Sequence, residues 1–258
     1  MSPAASPRTR RPAGETRSRM LEAAVERVKA EGLLLDYSNI SLEDLIRVAG
    51  VPRSTVFRIW PDRGAFVADL VRALFVSDPG FDAGFDRETL QLLQAAMAQG
   101  PAAAEVADRD PRLGREVALR AAVRAAVAHN VVAVEHSLAY RAYKTMSAAL
   151  ASGDAVPGGE EIRTLLIDIE ERYAQRMAEL YRSLNEALGI RMRDGVDERD
   201  LAVAIMATID GMTDHRRINP DMIDAPRSVT MGPEGPEEWH VAALAVYGIY
   251  AAFVEFGG

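Results

Sequence analysis

Ser41-Leu42-Glu43-Asp44-Leu45-Ile46-Arg47-Val48-Ala49-Gly50-Val51-Pro52-Arg53-Ser54-Thr55-Val56-Phe57-Arg58-Ile59-Trp60-Pro61-Asp62-Arg63 holds two short amphipathic segments around one glycine. Ser41 followed by Asp44 has the spacing of a capping box with the shorter acid in its last place, so a helix opens here and runs to Ala49. Gly50 breaks it, and a second short helix fits Arg53 to Trp60. Two helices joined through Ala49-Gly50-Val51 cross at a steep angle. Leu45, Ala49, Val51, Val56 and Ile59 then point inward and lock the pair, while Arg53, Ser54, Thr55 and Arg58 face outward. Pro61-Asp62 restarts the chain, with Asp62 capping a further helix that reaches about Val76.

The outward residues suit the groove of a duplex: arginine can bond both guanine acceptors at once, and serine and threonine hydroxyls can take a base edge or a phosphate. Upstream, Met20, Leu21, Ala24, Val25 and Val28 fall at helical spacing between Thr16 and Gly32. Ile40-Ser41-Leu42 and the run Ala49 to Arg63, set in this context, resemble the DNA-binding domain of TetR-type transcriptional repressors. The resemblance covers roughly residues 16–76 and includes the aromatic-Pro-Asp-basic junction Trp60-Pro61-Asp62-Arg63. It implies that Ser54, Thr55 and Arg58 enter the major groove and that Arg53 reads a base or holds a phosphate. It also implies that Arg63 clamps the backbone beside the fourth helix, whose free N–H groups favour an anion. Ser41 and Phe57 complete the implied DNA-binding set. Phe57 departs from the family's usual tyrosine, whose hydroxyl bonds phosphate. Ile46 replaces a small residue at the helix crossing, and Gly64 stands where an acidic residue is common.

Around this head the chain is expected to be all-α: a three-helix helix-turn-helix domain followed by a larger helical domain for ligand binding and dimerisation. Residues 1–15, rich in Pro, Ser and Ala with Arg8, Arg10 and Arg11, read as a disordered basic arm. Residues 16–76 form the head and 77–258 the larger region. There the spacing predicts helices over Arg87–Gln99, Arg112 to about Ser152, Glu160–Leu188, Glu198 to about His215, and Glu237–Phe256. Asp78-Pro79-Gly80 and the cluster Gly153–Gly159 punctuate them. Asn219–Pro236, with four of the 13 prolines, reads as a long loop without an assigned role.

Charge divides along the same line. The first 80 residues carry 12 Lys and Arg against 10 Asp and Glu, a net of +2; the remaining 178 carry 18 against 28, a net of −10. Only the front of the chain is fit to meet a polyanion. The absence of cysteine excludes disulfides and thiolate chemistry and leads us to expect a reducing, cytoplasmic setting. The arginines at the N-terminus have no apolar stretch behind them, which argues against export. The longest uncharged apolar run, Val241 to Val254, is 14 residues and falls short of a bilayer span, so no membrane partner is expected.

A single small head binds DNA modestly, whereas a twofold dimer sums two half-sites of a palindrome. The resemblance implies a homodimer through the Glu198–His215 and Glu237–Phe256 helices. The second is apolar on nearly every side and needs cover all round. An unknown small-molecule effector would occupy a largely apolar cavity with a few polar groups. His136 and Tyr140, one turn apart, with Tyr143 nearby, and Tyr173 and Met177, also one turn apart, are its candidate lining. The expected function is a ligand-responsive regulator, a repressor acting on double-stranded DNA. The competing reading is a helical dimeric module that binds a ligand or protein and no longer grips DNA. Enzyme chemistry has little support. His129, His136, His215 and His240 show no His-Glu-x-x-His pattern, and His129 and His136 lie about 10 Å apart by helix rise, too far to share a metal. No metal or cofactor is expected, and the Asp168, Glu170 and Glu171 carboxylates read as a solvated helix face.

Overall fold

The computed structural model describes residues 13–32, 40–76, 86–98, 108–152, 159–232 and 235–256. Among them are eleven helices and four short strands. The helices are α1 (Ala13–Glu31), α2 (Leu42–Ala49), α3 (Arg53–Ile59), α4 (Arg63–Val76), α5 (Arg87–Ala98), α6 (Pro111–His136), α7 (Leu138–Ala151), α8 (Gly159–Leu188), α9 (Glu198–Ile218), α10 (Pro220–Asp224) and α11 (Val241–Phe253). The strands are β1 (Arg191–Met192), β2 (Arg227–Thr230), β3 (Pro236–Trp239) and β4 (Val254–Glu255). The protein is all-α in class. Most of the arm read from residues 1–15, and the breaks at 78–80 and 153–158, lie outside the described residues.

Two compact units are drawn from Met1–Ser77 with Arg141–Ile167, and from Asp78–Tyr140 with Asp168–Gly258. Part of the expected larger region, 141–167, therefore groups with the front of the chain. In the first unit α1 packs on α2, α3 and α4. It buries Thr16, Met20, Ala24, Val25 and Val28, so of the stripe that helical periodicity predicts only Leu21 is half-buried, and Thr16 is added one turn earlier. Helix α4 buries Phe66, Val67, Leu70, Val71, Leu74 and Phe75, too wide a set for one face, so it is covered on most sides.

In the second unit α6 packs against α5, α9 and α11, and α9 packs against α11. One core joins Leu119, Val123, Val127 and Val131 of α6 to Leu201, Ile205 and Ile209 of α9 and Val246, Tyr247 and Tyr250 of α11. By length and composition α6 could cross a membrane, contrary to the expectation that no stretch is long enough. Its two central charges, Arg120 and Arg124, are diluted by Ala and Val. Its contacts make it a core helix: Leu119 and Val131 are fully buried in this core.

Two helix expectations and one loop expectation need correction. The stretch Arg112–Ser152 is two helices, because Ser137 takes an extended conformation (φ −63°, ψ 125°). Its N–H closes α6 on Ala133 O and Val134 O, and its Oγ accepts the Tyr140 N–H at 3.0 Å to open α7. The last helix starts at Val241, not Glu237, because Pro236–Trp239 pairs antiparallel with Arg227–Thr230. It stops at Phe253, where Val254 and Glu255 pair with Met192 and Arg191. The supposed loop 219–236 thus contains α10 and β2. Its inner side is pinned by Arg216, whose Nε donates to both Asp224 oxygens at 2.8 and 3.1 Å and whose Nη1 reaches Glu135 of α6.

Candidate nucleic-acid interface

Helices α2 and α3 are positioned by local chemistry at each end. Ser41 caps α2 by accepting the Asp44 N–H at 3.3 Å. The Asp44 carboxylate pairs with Arg47, one turn along α2. Gly50 ends α2 in the left-handed region at φ 60°, ψ 43°, which a Cβ disfavours. At the far end Asp62 Oδ1 accepts the Ala65 N–H at 2.8 Å and caps α4.

These caps set which face of α3 meets solvent. Val56 is fully buried, with Leu45, Ala49, Val51 and Trp60 also inside the first unit. Ile59 is only half-buried. Arg53, Ser54, Phe57 and Arg58 are exposed. At 100° per residue these four share one face, and Thr55, half-buried, lies at its edge. Ser41 is half-buried at the start of α2. The face offers a hydroxyl, an aromatic ring and two guanidinium groups, which suits base edges and phosphates together.

Two of these groups are tied to neighbours. The Arg53 guanidinium lies 5.3 Å from the Phe57 ring centroid, one turn along α3. Its Nη2 also donates to Glu43 Oε1 of α2 at 2.8 Å. Glu43 is absent from the sequence-derived site. It lies ten residues before Arg53, and only the steep crossing of α2 and α3 brings the two together. Arg63 is half-buried, with Nε and Nη2 hidden and without a hydrogen-bond partner.

Of the five candidate ligand residues, Tyr143 belongs to the first unit and the other four to the second. His136 is exposed, and its Nδ1 lies 2.7 Å from Val132 O. Tyr140 lies across the Ser137 break, half-buried, and its hydroxyl donates to Asp210 Oδ1 of α9 at 2.5 Å. Burial, then the Asp210 bond and the Asp210 and Asp214 charges, push its phenol well above the usual tyrosine range. Arg217 sits 5.8 Å from the same ring and acts in the opposite sense. Tyr143 falls in the first unit and is half-buried. Met177 is 2% exposed within the second unit's core, and Tyr173 packs against that core. None of the five lines the open hollow of about 380 Å³ formed by Arg182, Asn185, Ile190, Met192, Asp197 and neighbouring residues. Among the described residues no group of three or more His, Asp or Glu side chains could hold a metal ion.

No protein-family model and no curated protein sequence matches the chain. Solved structures resemble it along nearly its whole length. One is a Rhodococcus sp. protein assigned to the TetR family of transcriptional regulators, with 15% identity and a TM-score of 0.44 over 94% of this chain and 100% of that one. SmeT in complex with triclosan gives 18% identity and 0.45 over 94% and 93%. SmeT described as the repressor of the Stenotrophomonas maltophilia SmeDEF multidrug efflux pump gives 17% and 0.41 over 93% and 91%. At such identities and scores the likenesses carry no statement about ligand or DNA sequence.

Proposed function

We propose that the chain is a ligand-responsive DNA-binding regulator, a repressor that acts as a homodimer on a palindromic operator. The observation that carries this reading is the face of α3. A seven-residue helix seals Val56 inside and turns Arg53, Ser54, Phe57 and Arg58 to solvent immediately after a left-handed glycine turn. A helix so short contributes little to a core; its use lies in what it presents. Ser54, Thr55 and Arg58 are its base-reading set, Arg63 its backbone contact, and Ser41 fixes the start of the supporting helix.

Pairing of two copies is supported by α9 and α11. They pack together and leave Val203, Ala207, Gly248 and Ala252 exposed, and α11 carries no charge from Val241 to Phe253. A Cβ added at Gly248 would meet nothing within 4 Å, so the bareness of that position serves no packing inside its own chain. An effector bound in the second unit would favour a dimer geometry in which the two α3 helices miss successive major grooves. A coupling of about 1–3 kcal/mol would change affinity roughly 5- to 150-fold.

Fluorescence anisotropy with duplex from upstream of the protein's own gene tests the reading. Affinity should fall steeply with salt as condensed cations are released. Absence of binding at low salt would favour the helical module that binds a ligand or protein without DNA.

A further inference from the structure

The side chain of Arg53 stands between two uses, a phosphate clamp and a base reader. Resting on the DNA-binding reading above, we infer that Arg53 reads a guanine and that Glu43 and Phe57 assign it to that task. Its guanidinium is held from two sides. Phe57 offers a ring face 5.3 Å away, which favours a fixed orientation of the planar cation. Glu43 takes an Nη2 N–H at 2.8 Å. One of five donors is spent and four remain in the guanidinium fork.

The charge balance chooses between the two uses. A phosphate is an anion, and the Glu43 carboxylate bonded to the same guanidinium both cancels its field and repels phosphate oxygens. Guanine N7 and O6 are neutral acceptors, so a bidentate bond to them depends on the geometry of the fork more than on net charge. Both partners sit in the open, with 69% of the Arg53 side chain and 55% of Glu43 accessible. The exposed pair is weak enough to adjust on contact with a base edge.

The experiment is selection of bound duplexes from a randomised pool with the full-length protein, followed by affinity measurement on the selected sequence. Each half-site should contain one guanine whose selection disappears with Arg53→Ala and with Arg53→Lys, while preferences at other positions persist. Replacing that guanine by 7-deazaguanine, which removes N7 and leaves O6, should weaken the wild type about fivefold, the lower end of the range of a full bidentate contact. It should leave Arg53→Ala unaffected. Phe57→Leu should reduce the guanine preference about two- to fivefold, as loss of one exposed cation–π contact does. Glu43→Gln should raise non-specific binding and steepen its salt dependence by releasing the cation to phosphate.

A wild type indifferent to 7-deazaguanine at every position would overturn the inference. So would Arg53→Lys that keeps the full sequence preference while Arg53→Ala weakens all sequences alike, which marks a phosphate contact. Failure of the wild type to retain any duplex would overturn the DNA-binding function itself, and this inference with it.

Discussion

Trp60, the residue that ends α3, donates its indole Nε1–H to Asp69 Oδ2 of α4 at 2.6 Å. The bond is buried, and Phe66 closes it from the side with its ring edge-on to Trp60 at 4.9 Å. Asp69 also takes Arg17 of α1 at 2.8 Å and Arg72 at 3.1 Å. One carboxylate therefore ties the end of α3 to α1 and α4, and the orientation of the exposed face depends on it.

Removing the indole donor should loosen this tie. Trp60→Phe replaces the indole by a smaller ring and removes one of the two donors to Asp69 Oδ2, the other being Arg17, at a cost of about 1–3 kcal/mol. Urea denaturation followed by far-ultraviolet circular dichroism would read the loss. An unchanged midpoint would show that the bond holds nothing.

Gly50 at φ 60° should resist replacement. The nearest atom to an added Cβ is Arg19 Nη2 at 3.7 Å, an ordinary contact, so the strain is in the backbone and not in crowding. Gly50→Ala is expected to cost about 1–2 kcal/mol through the left-handed conformation alone. Gly50→Asn should cost less, and equal losses in thermal stability for the two would refute the backbone explanation.

Arg58 and Arg63 should fail differently on DNA. Arg58→Ala is expected to lower affinity for the selected operator and relax selectivity at one position, by a factor of about 5–150. Arg63→Ala should weaken operator and random duplex alike and reduce the salt slope by about one. Titrations of both variants at several salt concentrations separate the two patterns.

Gly248→Arg should split the dimer without unfolding the chain, since its own protomer leaves room for the side chain. Sedimentation velocity at micromolar concentration would then report monomer, and operator affinity would fall with it. A dimer that survives the substitution would place the twofold contact elsewhere.

Asp86 supplies a pH prediction. Burial works to raise its carboxyl, but bonds from the Thr89 side chain and backbone and from His129 Nε2 at 3.1 Å outweigh it, so it lies below the ordinary value of 3.8. A carboxyl depressed in the folded state stabilises fully above its unfolded value, and the benefit is lost as pH falls through the lower folded value. The stability gap between wild type and Asp86→Asn should accordingly hold constant above about pH 5 and close below 3.8. A gap that stays unchanged down through the acid range would refute the depressed carboxyl.

Much of the head is legible in one dimension because its signals are local. Caps at Ser41 and Asp62, a left-handed stop at Gly50 and an apolar stripe on α1 each act over four or five residues. The break at Ser137 was also written locally, in a capping residue inside an alanine-rich run, but helix propensity on both sides masks it. The β2–β3 hairpin is hidden for another reason: Glu237 and Glu238 resemble a helix start until Trp239 pairs opposite Arg227 and is buried.

Periodicity, capping chemistry and charge partition by themselves determined that this is a helical protein with two short capped helices and a locally basic front, since these depend only on near neighbours along the chain. Tertiary structure alone decided that Glu43 meets Arg53, that Trp60 meets Asp69, and that Tyr140 bonds Asp210 across 70 residues. The reason is that a hydrogen bond or ion pair depends on distance in space, and folding sets the distance between residues on different elements in ways that spacing along the sequence does not encode.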